Sequence, residues 1–513
     1  MGLRDKMNFT DEILDFLIKK NIKTVFSYPG EQILPLYNGL NESPIKNIMV
    51  RSEQGASHMA DGYSRITNHV GVCLATAGPG ATNLMTGIAT AYKDSSSVIA
   101  ITGRCKKEYI NKNYFQEINM DFLNLQNGYF VDAPDIKYFE KAFNESINTK
   151  KPIHLNIPYG VLLDSNDDNN RNNNENNYKD EKNNKKDNTS ILNNIDYNTT
   201  GKPLLLIGQG IYGNLSYNDI LKINDILKNS HIPIATTYPA RGVIDENNPI
   251  CLGLVGGRGT EKANQYILNC DTVYCLGASL SYNTLPPLIR DKIIPKIKDI
   301  PININNLEDI ELLINTLNYK YNNVYINNIG NNINPNNKLC GDYSLKINEI
   351  LNNLPDDTII TTDAGNHTVF VSLLKTCGAP KNIISSHSMG TMGFGLPASI
   401  GVKFGCLDNN IDREVVSING DGGFQMNIQE LATVSENNLK ILIIIMKNNR
   451  LNIFGDIKNP DFNKIADGYN IDNIYISDID EIENNIKYYL NNNKPYLMVV
   501  ECENESLPKK SFN

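Results

Sequence analysis

A glycine-flanked aspartate between two apolar runs constrains the fold of this chain more than any other feature. Gly420-Asp421-Gly422 follows the apolar run Val415 to Ile418, and Asn448-Asn449 follows a second apolar run, Ile441 to Met446. The segment between the two runs, Phe424 to Asn437, has the apolar spacing of a helix. The order strand, turn, helix, strand, turn predicts two parallel strands whose following turns lie at the same carboxyl edge of a sheet.

The side chains in these two turns are suited to a magnesium ion. One helical crossover would bring Asp421 and Asn448 together. A carboxylate, an amide oxygen and nearby backbone carbonyls form a set of hard oxygen ligands, and Mg²⁺ keeps few protein ligands when phosphates complete its octahedron. We therefore assign Asp421, Asn448 and Arg450 to a metal site. The glycines Gly420, Gly422 and Gly423 would let backbone N–H groups approach phosphate oxygens at a helix start. The alternative is that both motifs are ordinary turns.

Length and composition restrict the class of protein. The chain has 513 residues, enough for about three domains, and 41% of them are hydrophobic. Its formal net charge of −9 argues against a nucleic-acid-binding surface. The nine cysteines are scattered without a Cys-x-x-Cys pair, which indicates reduced thiols. No apolar run reaches the roughly 18 residues of a membrane helix, and Met1 to Lys6 does not read as a signal peptide. We expect a cytoplasmic protein with no membrane partner.

The alternation of strands and helices along the chain predicts an α/β fold. In the first unit we expect a helix at residues 10–21 with Thr10 as its N-cap, followed by strands at 24–28, 48–50, 70–75 and 98–102. Two stretches rich in Asn, Asp and Lys interrupt the pattern and are expected to be linkers. The predicted organisation is a first unit at 1–164, a linker at 165–200, a central unit at 201–318, a linker at 319–341 and a third unit at 342–513.

Three further segments, together with the Asp421 and Asn448 turns, resemble the thiamine diphosphate signature. They are Arg51 to Tyr63, Asp363-Ala364-Gly365-Asn366-His367, and Gly390-Thr391-Met392-Gly393-Phe394-Gly395-Leu396-Pro397. The closest likeness is to the acetolactate synthase large-subunit family. It covers most of 8–164, less of 201–318 and most of 343–475. The resemblance implies three doubly wound parallel-sheet domains. The first would bind the pyrimidine ring of the cofactor, the second would be the central domain, and the third would bind the diphosphate.

The resemblance also implies roles for individual residues. Glu53 would be the catalytic carboxyl group that bonds N1′ of the cofactor's aminopyrimidine ring and so promotes loss of the C2 proton. The alternative is that Glu53 is an ordinary solvated carboxylate without a catalytic role. Met392 would separate the two cofactor rings, although a buried Met is more often a core residue. The remaining assignments are Pro29, Gly30, Asn366, His367, Gly390, Gly420, Gly422 and Gly423 to the cofactor, and Phe115 and Gln116 to the substrate.

In the family each active site combines the first domain of one subunit with the third domain of another. The resemblance therefore implies a homodimer or a dimer of dimers with active sites at the interface, thiamine diphosphate and Mg²⁺ as cofactors, and 2-oxo acids as substrates. It also leaves open a separate regulatory subunit. FAD occurs in the family, but two substitutions argue against it here.

The departures from the family concern the substrate side. Ser279 in Gly277-Ala278-Ser279-Leu280 replaces an Arg that touches flavin and the second substrate, and Ser cannot form a bidentate grip on a carboxylate. Arg258 occupies the position of a family His, and Tyr159 that of a Lys. The Trp-containing lid after Asn449 is shortened to Arg450–Asn459, and the chain has no Trp.

Three functions remain open from the sequence. The first is decarboxylation of a 2-oxo acid such as pyruvate, with carboligation to a second 2-oxo acid, as in acetolactate synthase. The second is a simple 2-oxo acid decarboxylase or another carboligase with the same cofactor. The third is a non-catalytic cofactor-binding subunit, which the retained Glu53 argues against.

Overall fold

The computed structural model describes residues 8–119, 128–164, 201–300, 304, 306–321 and 341–511. Within these ranges the chain forms three sheets, and all strand pairs in them are parallel. Each sheet has helices packed beside it, so the predicted α/β class with three doubly wound units is confirmed. The predicted linker 165–200 and most of the predicted linker 319–341 lie outside the described residues.

The first sheet contains six strands in the spatial order β2-β1-β3-β4-β6-β5. The strands are β1 (Thr24–Ser27), β2 (Lys46–Met49), β3 (Gly71–Ala75), β4 (Val98–Arg104), β5 (Gly128–Phe130) and β6 (Ile153–Pro158). The α-helices of this unit are Phe9–Lys19, Leu34–Glu42, Glu53–Thr67, Pro79–Asp94, Lys137–Thr149 and Tyr159–Leu163. Strand β3 is buried along its whole length, as expected for a parallel strand covered on both faces.

The first helix begins earlier than predicted, and the prediction of Thr10 as its N-cap is wrong. Asn8 is the N-cap: its side chain accepts a hydrogen bond from Asp11 N at 3.0 Å, and the Asp11 carboxylate accepts one from Asn8 N at 3.2 Å. This reciprocal pair is a capping box built from Asn and Asp. Thr10 instead donates its hydroxyl proton to the Leu162 carbonyl at 2.9 Å.

The central sheet contains five strands in the order β11-β10-β7-β8-β9. The strands are β7 (Pro203–Ile207), β8 (Ile234–Thr236), β9 (Cys251–Leu254), β10 (Thr272–Leu276) and β11 (Ile297–Asp299). The α-helices are Tyr217–Leu227, Glu261–Asn269, Pro287–Ile293 and Leu307–Lys320. The chain starts this sheet at its middle strand β7, adds β8 and β9 on one side, and then adds β10 and β11 on the opposite side. A topological switch point therefore lies between β7 and β10.

The third sheet contains six strands in the order β13-β12-β14-β15-β17-β16. The strands are β12 (Ile359–Thr362), β13 (Ile383–Ser385), β14 (Val415–Gly420), β15 (Leu442–Lys447), β16 (Asp472–Ile476) and β17 (Tyr496–Glu501). The α-helices are Asp342–Asn352, Asn366–Leu374, Gly395–Asp408, Asp421–Phe424, Leu431–Glu436, Phe462–Gly468 and Glu481–Asn491. Strand β14 lies between β12 and β15, so the turns after these three strands share one edge of the sheet.

The first and third units pack against each other through two helices, Glu53–Thr67 and Gly395–Asp408. Their backbones approach so closely that a Cβ added at Gly62 would lie 2.3 Å from the Ala398 carbonyl oxygen, and one at Gly401 would lie 1.9 Å from that of Met59. Side chains larger than glycine would therefore separate the helices. The helix that starts with Glu53 is almost wholly buried as a result.

Buried ion pairs and hydrogen bonds fix the same contact. Arg65 pairs with Asp61 at 2.7 Å and with Asp94 at 3.2 Å, and it donates to the Ser385 carbonyl of the third unit at 2.7 Å. At the other end, the Asp408 carboxylate accepts hydrogen bonds from Thr24 and Tyr63 of the first unit. Among the described helices, none is both long and apolar enough to cross a membrane.

Candidate active site

The Asp421 carboxylate is the centre of a hydrogen-bond network after β14. Asp421 is buried, and its Oδ2 accepts hydrogen bonds from Asn448 N at 3.1 Å, Asn449 N at 2.6 Å and Asn459 Nδ2 at 2.7 Å. Burial raises the pKa of Asp421, while these donors act in the opposite direction. The structure thus brings together the Asp421 turn and the Asn448 turn, because the strands before them are neighbours.

The donor set around Asp421 fits a magnesium ion better than a transition metal. No cluster of three or more His, Cys, Asp or Glu side chains able to hold a metal occurs within the described ranges. One carboxylate with neighbouring amide oxygens is what Mg²⁺ requires when phosphates supply its other ligands. Asn448 Oδ1 accepts from Arg450 N at 3.3 Å, and the Arg450 guanidinium is paired with Asp456 at 3.0 Å. The metal role of these three positions remains a prediction.

His367 presents an unpaired ring nitrogen beside the same edge. The helix after β12 begins at Asn366, and His367 in its first turn is buried, with its ring 3.2 Å from where a Cβ on Gly420 would lie. Its Nε2 has no hydrogen-bond partner among the described residues. Burial lowers the pKa of His367 to about 4, and a backbone hydrogen bond with Asp363 acts in the opposite direction. A buried nitrogen without a partner, next to a glycine turn, fits a phosphate oxygen as its missing acceptor. Asn366 makes a long contact to the Glu505 carbonyl, at 3.5 Å.

Asp363 begins one of the segments that resemble the family, but the sequence predicted no role for it. It is buried, its Oδ1 accepts from Phe394 N at 3.1 Å, and its Oδ2 has no partner among the described residues. Burial raises the pKa of Asp363 to about 7. A Cβ added at Gly423 would lie 1.8 Å from Asp363 Oδ2, so Gly423 makes room for this carboxyl group. The available signal was that Asp363 directly follows β12, as Asp421 follows β14.

Met392 lies in a turn that is held from two sides. The neighbouring Thr391 hydroxyl is 2.7 Å from the Thr90 hydroxyl of the first unit, and Asn427 Nδ2 donates to the Gly393 carbonyl at 2.7 Å. Gly390 and Gly393 have φ values of 68° and 83°, which favour glycine. Met392 itself is half-buried. The turn is thus tied to both the first and the third unit, and the cofactor role that the resemblance implies for Met392 stays a prediction.

Glu53 is held by a neighbouring helix of its own domain. It is the first residue of its helix, almost fully buried, and its Oε2 accepts a hydrogen bond from Asn83 Nδ2 at 3.0 Å. Asn83 was not assigned a role from the sequence. Pro29 and Gly30 follow β1 at the same edge, where a Cβ on Gly30 would lie 2.4 Å from Thr76 Cβ.

The two predicted substrate residues lie over the start of the helix that carries Asn83. Phe115 is 70% exposed, and Gln116 has a φ of 61°. The backbone oxygen of Gln116 is 2.7 Å from where a Cβ on Gly78 would lie. The structure thus places Gln116 against Gly78, which precedes the helix that carries Asn83, while a substrate role for Phe115 and Gln116 stays a prediction. Across the described residues, no hydrogen bond or ion pair joins Glu53 to Asp421 or His367.

The shortened lid folds back onto the Asp421 network. Ile457 N donates to the Asn449 carbonyl at 2.9 Å, and Leu451 N donates to the Gly455 carbonyl at 2.8 Å. Asn459, at the end of the loop, donates to Asp421 and accepts from Gln425 Nε2 at 2.9 Å. The same fold leaves Ile453 80% and Phe454 85% exposed. A Cβ at Gly422 would lie 2.4 Å from Leu451, so Gly422 also makes room for this loop.

A cavity of about 1260 Å³ lies at the carboxyl edge of the central sheet. Arg258 and Ser279, the two central-domain residues that differ from the family, line this cavity. Glu53 and Asp421 do not line it. The C-terminal segment crosses it: Arg258 donates to the Pro508 carbonyl, and Ser511 N donates to the Gly257 carbonyl at 2.9 Å. The cavity is therefore separate from the Asp421 network.

Comparison with known proteins gives consistent matches to one family. Residues 7–125 match the N-terminal TPP binding domain of thiamine pyrophosphate enzymes, 198–312 their central domain, and 363–500 their C-terminal TPP binding domain. An uncharacterised protein of Methanocaldococcus jannaschii is 56% identical over 506 residues, 99% of each chain. A probable acetolactate synthase large subunit of Methanococcus aeolicus is 31% identical over 96% of this chain and 91% of its own. The large subunit of acetolactate synthase isozyme 2 of Escherichia coli is 28% identical over 97% and 96%.

Proposed function

Because the chain belongs to the thiamine pyrophosphate enzyme family, we propose that it decarboxylates a 2-oxo acid and transfers the remaining unit to a second 2-oxo acid. Pyruvate is the proposed donor. The observation that carries the proposal is the meeting of Asp421, Asn448 and the unpaired Nε2 of His367 at one sheet edge. Relatives named as acetolactate synthase large subunits support the type of reaction.

The residues of the third unit would hold the diphosphate and its metal. Asp421 and Asn448 would bind Mg²⁺, with Arg450 nearby, and His367 would donate a hydrogen bond to a phosphate oxygen. Gly420 keeps this edge open, because a side chain there would meet the His367 ring. The half-buried Met392 would fix the angle between the two rings of the cofactor. Bound thiamine diphosphate supplies the stabilised carbanion that decarboxylation of a 2-oxo acid requires.

Glu53 would hold the proton on which activation depends. Its carboxyl group would donate to N1′ of the aminopyrimidine, and Asn83 orients that carboxyl through the 3.0 Å hydrogen bond. Burial at the start of a helix between two domains keeps bulk water away from this group. Asn83 thus acts by orienting Glu53.

We place each complete active site between two subunits. Glu53 bonds within the first unit and Asp421 within the third, and among the described residues no hydrogen bond or ion pair joins them. Met49 and Met426, close in sequence to Glu53 and Asp421, are 40% and 52% exposed and are suited to cover by a partner. Co-expression tests this: E53Q and D421A subunits, each inactive alone, should regain activity when mixed in one dimer. No regain would contradict a shared site.

We assign no flavin to the proposed reaction, and binding of FAD stays open. Ser279 stands at the position of the family Arg, and the Arg258 guanidinium already donates to the Pro508 carbonyl. A serine hydroxyl cannot replace the two parallel hydrogen bonds that Arg gives to a carboxylate. The proposed acceptor is therefore held less selectively than in enzymes with the Arg.

Release of carbon dioxide from a panel of 2-oxo acids tests the proposal. The purified chain should release it from pyruvate only when thiamine diphosphate and Mg²⁺ are both present. Acetolactate as a product would support carboligation. Free aldehyde alone would favour the second candidate, a simple decarboxylase. The short loop with exposed Ile453 and Phe454 also favours this candidate, because a short loop excludes less water from the site. If the chain binds the cofactor but turns over no 2-oxo acid, the remaining interpretation is a non-catalytic cofactor-binding subunit.

A further inference from the structure

Glu430 of the third unit contacts the residues that precede Glu53 in the first. It lies in the 3₁₀ turn Ile428–Glu430, shortly after the Asp421 turn, and is fully buried. Arg51 N donates to both of its carboxylate oxygens, at 3.1 Å and 3.3 Å. Thr433 Oγ1 donates to Oε2 at 2.7 Å and fixes the orientation of the carboxyl group. Two residues 379 positions apart in sequence are thereby joined directly in front of Glu53.

The helix that begins with Glu53 lacks a cap of its own. Ser52 is its N-cap residue, and the Ser52 side chain makes no capping hydrogen bond. The Glu430 carboxyl group, from another domain, accepts from Arg51 N just before the N-cap and interacts with the backbone N–H of the N-cap residue Ser52, one of the donors that the helix leaves free. A carboxylate near a helix N-terminus is also favoured by the helix dipole.

The fit around the Glu430 carboxyl group is close. A Cβ added at Gly55 would lie 2.5 Å from Glu430 Oε1. The neighbouring Glu436 pairs with the Arg51 guanidinium, so a second acid of the third unit contacts the same segment. Burial raises the pKa of Glu430 to about 7, and the hydrogen bonds from Thr433, Arg51 and Ser52 partly oppose this.

We infer that Glu430 is a positioning residue for Glu53: its carboxyl group caps the catalytic helix across the domain boundary and sets the direction in which the Glu53 carboxyl points. This rests on the proposed role of Glu53 as the activating acid. Glu430 lies seven residues beyond Gly423, so the contact ties the start of the Glu53 helix to the third unit of the same chain. An error of 1 Å in placing such a group costs up to about a hundredfold in rate.

Three variants of the full-length chain test the inference. E430A removes both acceptors, E430Q keeps one amide oxygen that can accept from Arg51 N, and E436Q removes only the Arg51 ion pair as a matched control. In E430A the rate of hydrogen–deuterium exchange at C2 of bound thiamine diphosphate should fall about tenfold or more, while cofactor affinity changes less than about threefold. E430Q should recover most of the rate, and E436Q should match wild type.

A second measurement needs no cofactor. Amide exchange followed by mass spectrometry on the apo chain should show faster exchange of the peptide that contains Arg51 and Ser52 in E430A, but not in E436Q. Unchanged amide exchange in E430A overturns the capping contact. Wild-type C2 exchange in E430A, or a loss of affinity parallel to the loss of rate, overturns the positioning role. If wild type itself shows no C2 exchange, the proposed function fails, while the amide data still judge the cap.

Discussion

The carboxyl edges of the third sheet and of the central sheet differ in how their polar groups are held. At the third sheet, Asp421, His367 and Asp363 are buried, and one polar atom each of His367 and Asp363 has no partner in the described part of the chain. At the central sheet, Ser279 is exposed and the C-terminal segment already bonds to Arg258 and Gly257. Beside the central sheet the hydroxyls of Tyr212 and Tyr238 are also buried without partners among the described residues, so the third sheet differs in holding buried carboxyl groups and an imidazole ring. We therefore propose that the third-sheet edge holds the cofactor, while the central edge lacks a charged side chain at Ser279 to grip a second substrate.

Removing the Asp421 carboxylate should have the largest effect. D421A loses the charged ligand for the metal and leaves the diphosphate charge unbalanced, so Mg²⁺-dependent binding of thiamine diphosphate should become undetectable by calorimetric titration. D472A, which removes an exposed carboxylate from β16 of the same unit, is the control and should bind normally. Unchanged affinity in D421A would remove the metal assignment.

Replacing Glu53 should separate binding from activation. E53Q keeps the size of the side chain, and with it most of the cofactor affinity. It cannot provide a proton of the right acidity to N1′. Exchange of the C2 proton should slow by about a hundredfold or more. The exposed Glu31 of the same unit provides the control E31Q. Exchange at the wild-type rate in E53Q would show that Glu53 is not the activating acid.

His367 should contribute one hydrogen bond to a phosphate oxygen. H367N shortens the side chain beyond reach, and affinity for thiamine diphosphate should fall about five- to thirtyfold, corresponding to about 1–2 kcal/mol. The exposed His231 offers H231N as a control. Equal affinity in H367N and wild type would mean that the unpaired Nε2 of His367 does not face the diphosphate.

The titration of Glu430 should make stability depend on pH. Burial raises the pKa of Glu430 from about 4.5 to about 7. Between these values the folded chain retains a proton that the unfolded chain has lost, so this group lowers the free energy of unfolding as pH rises, by up to about 3 kcal/mol. E430Q lacks this titration. Its melting temperature relative to wild type should therefore increase from pH 4.5 to pH 7, and a constant difference would contradict the raised pKa.

The predicted linker 165–200 should matter least. Replacing residues 166–198 by a short Gly/Ser linker should leave turnover within about twofold, because a polar tether contributes reach and not contacts. A fall in dimer yield measured by light scattering would show that this segment takes part in folding or assembly.

The fold could be predicted because its signals are local. The runs Val415 to Ile418 and Ile441 to Met446 became β14 and β15, and the turns after them met as the parallel topology requires. The segment Phe424 to Asn437, predicted as a helix, is helical only in parts. The chain instead forms Asp421–Phe424, the 3₁₀ turn Ile428–Glu430 and Leu431–Glu436. Asn427 between them bonds to the Gly393 carbonyl and interrupts the helix.

The polar partners of the site could not be predicted because they lie far away in sequence. Asn83 is 30 residues from Glu53, Asn459 is 38 residues from Asp421, and Glu430 is 379 residues from Arg51. Each of these residue types is common on protein surfaces, so nothing in the local sequence distinguishes them. Only the packing of one domain on another shows which of them are buried next to the proposed chemistry.

A competition assay tests the contrast between the two edges most directly. Purified protein with thiamine diphosphate and Mg²⁺ would receive pyruvate and 2-oxobutyrate together, and the products would be separated by mass. With Ser279 and the short loop in place of an Arg and a lid, selectivity for the acceptor should be about ten- to a hundredfold lower than a charged contact would give. We expect pyruvate to be consumed, with acetolactate and free acetaldehyde formed together and little preference for 2-oxobutyrate as acceptor. A strong preference for 2-oxobutyrate with no aldehyde would contradict the proposal that this chain recognises its acceptor poorly.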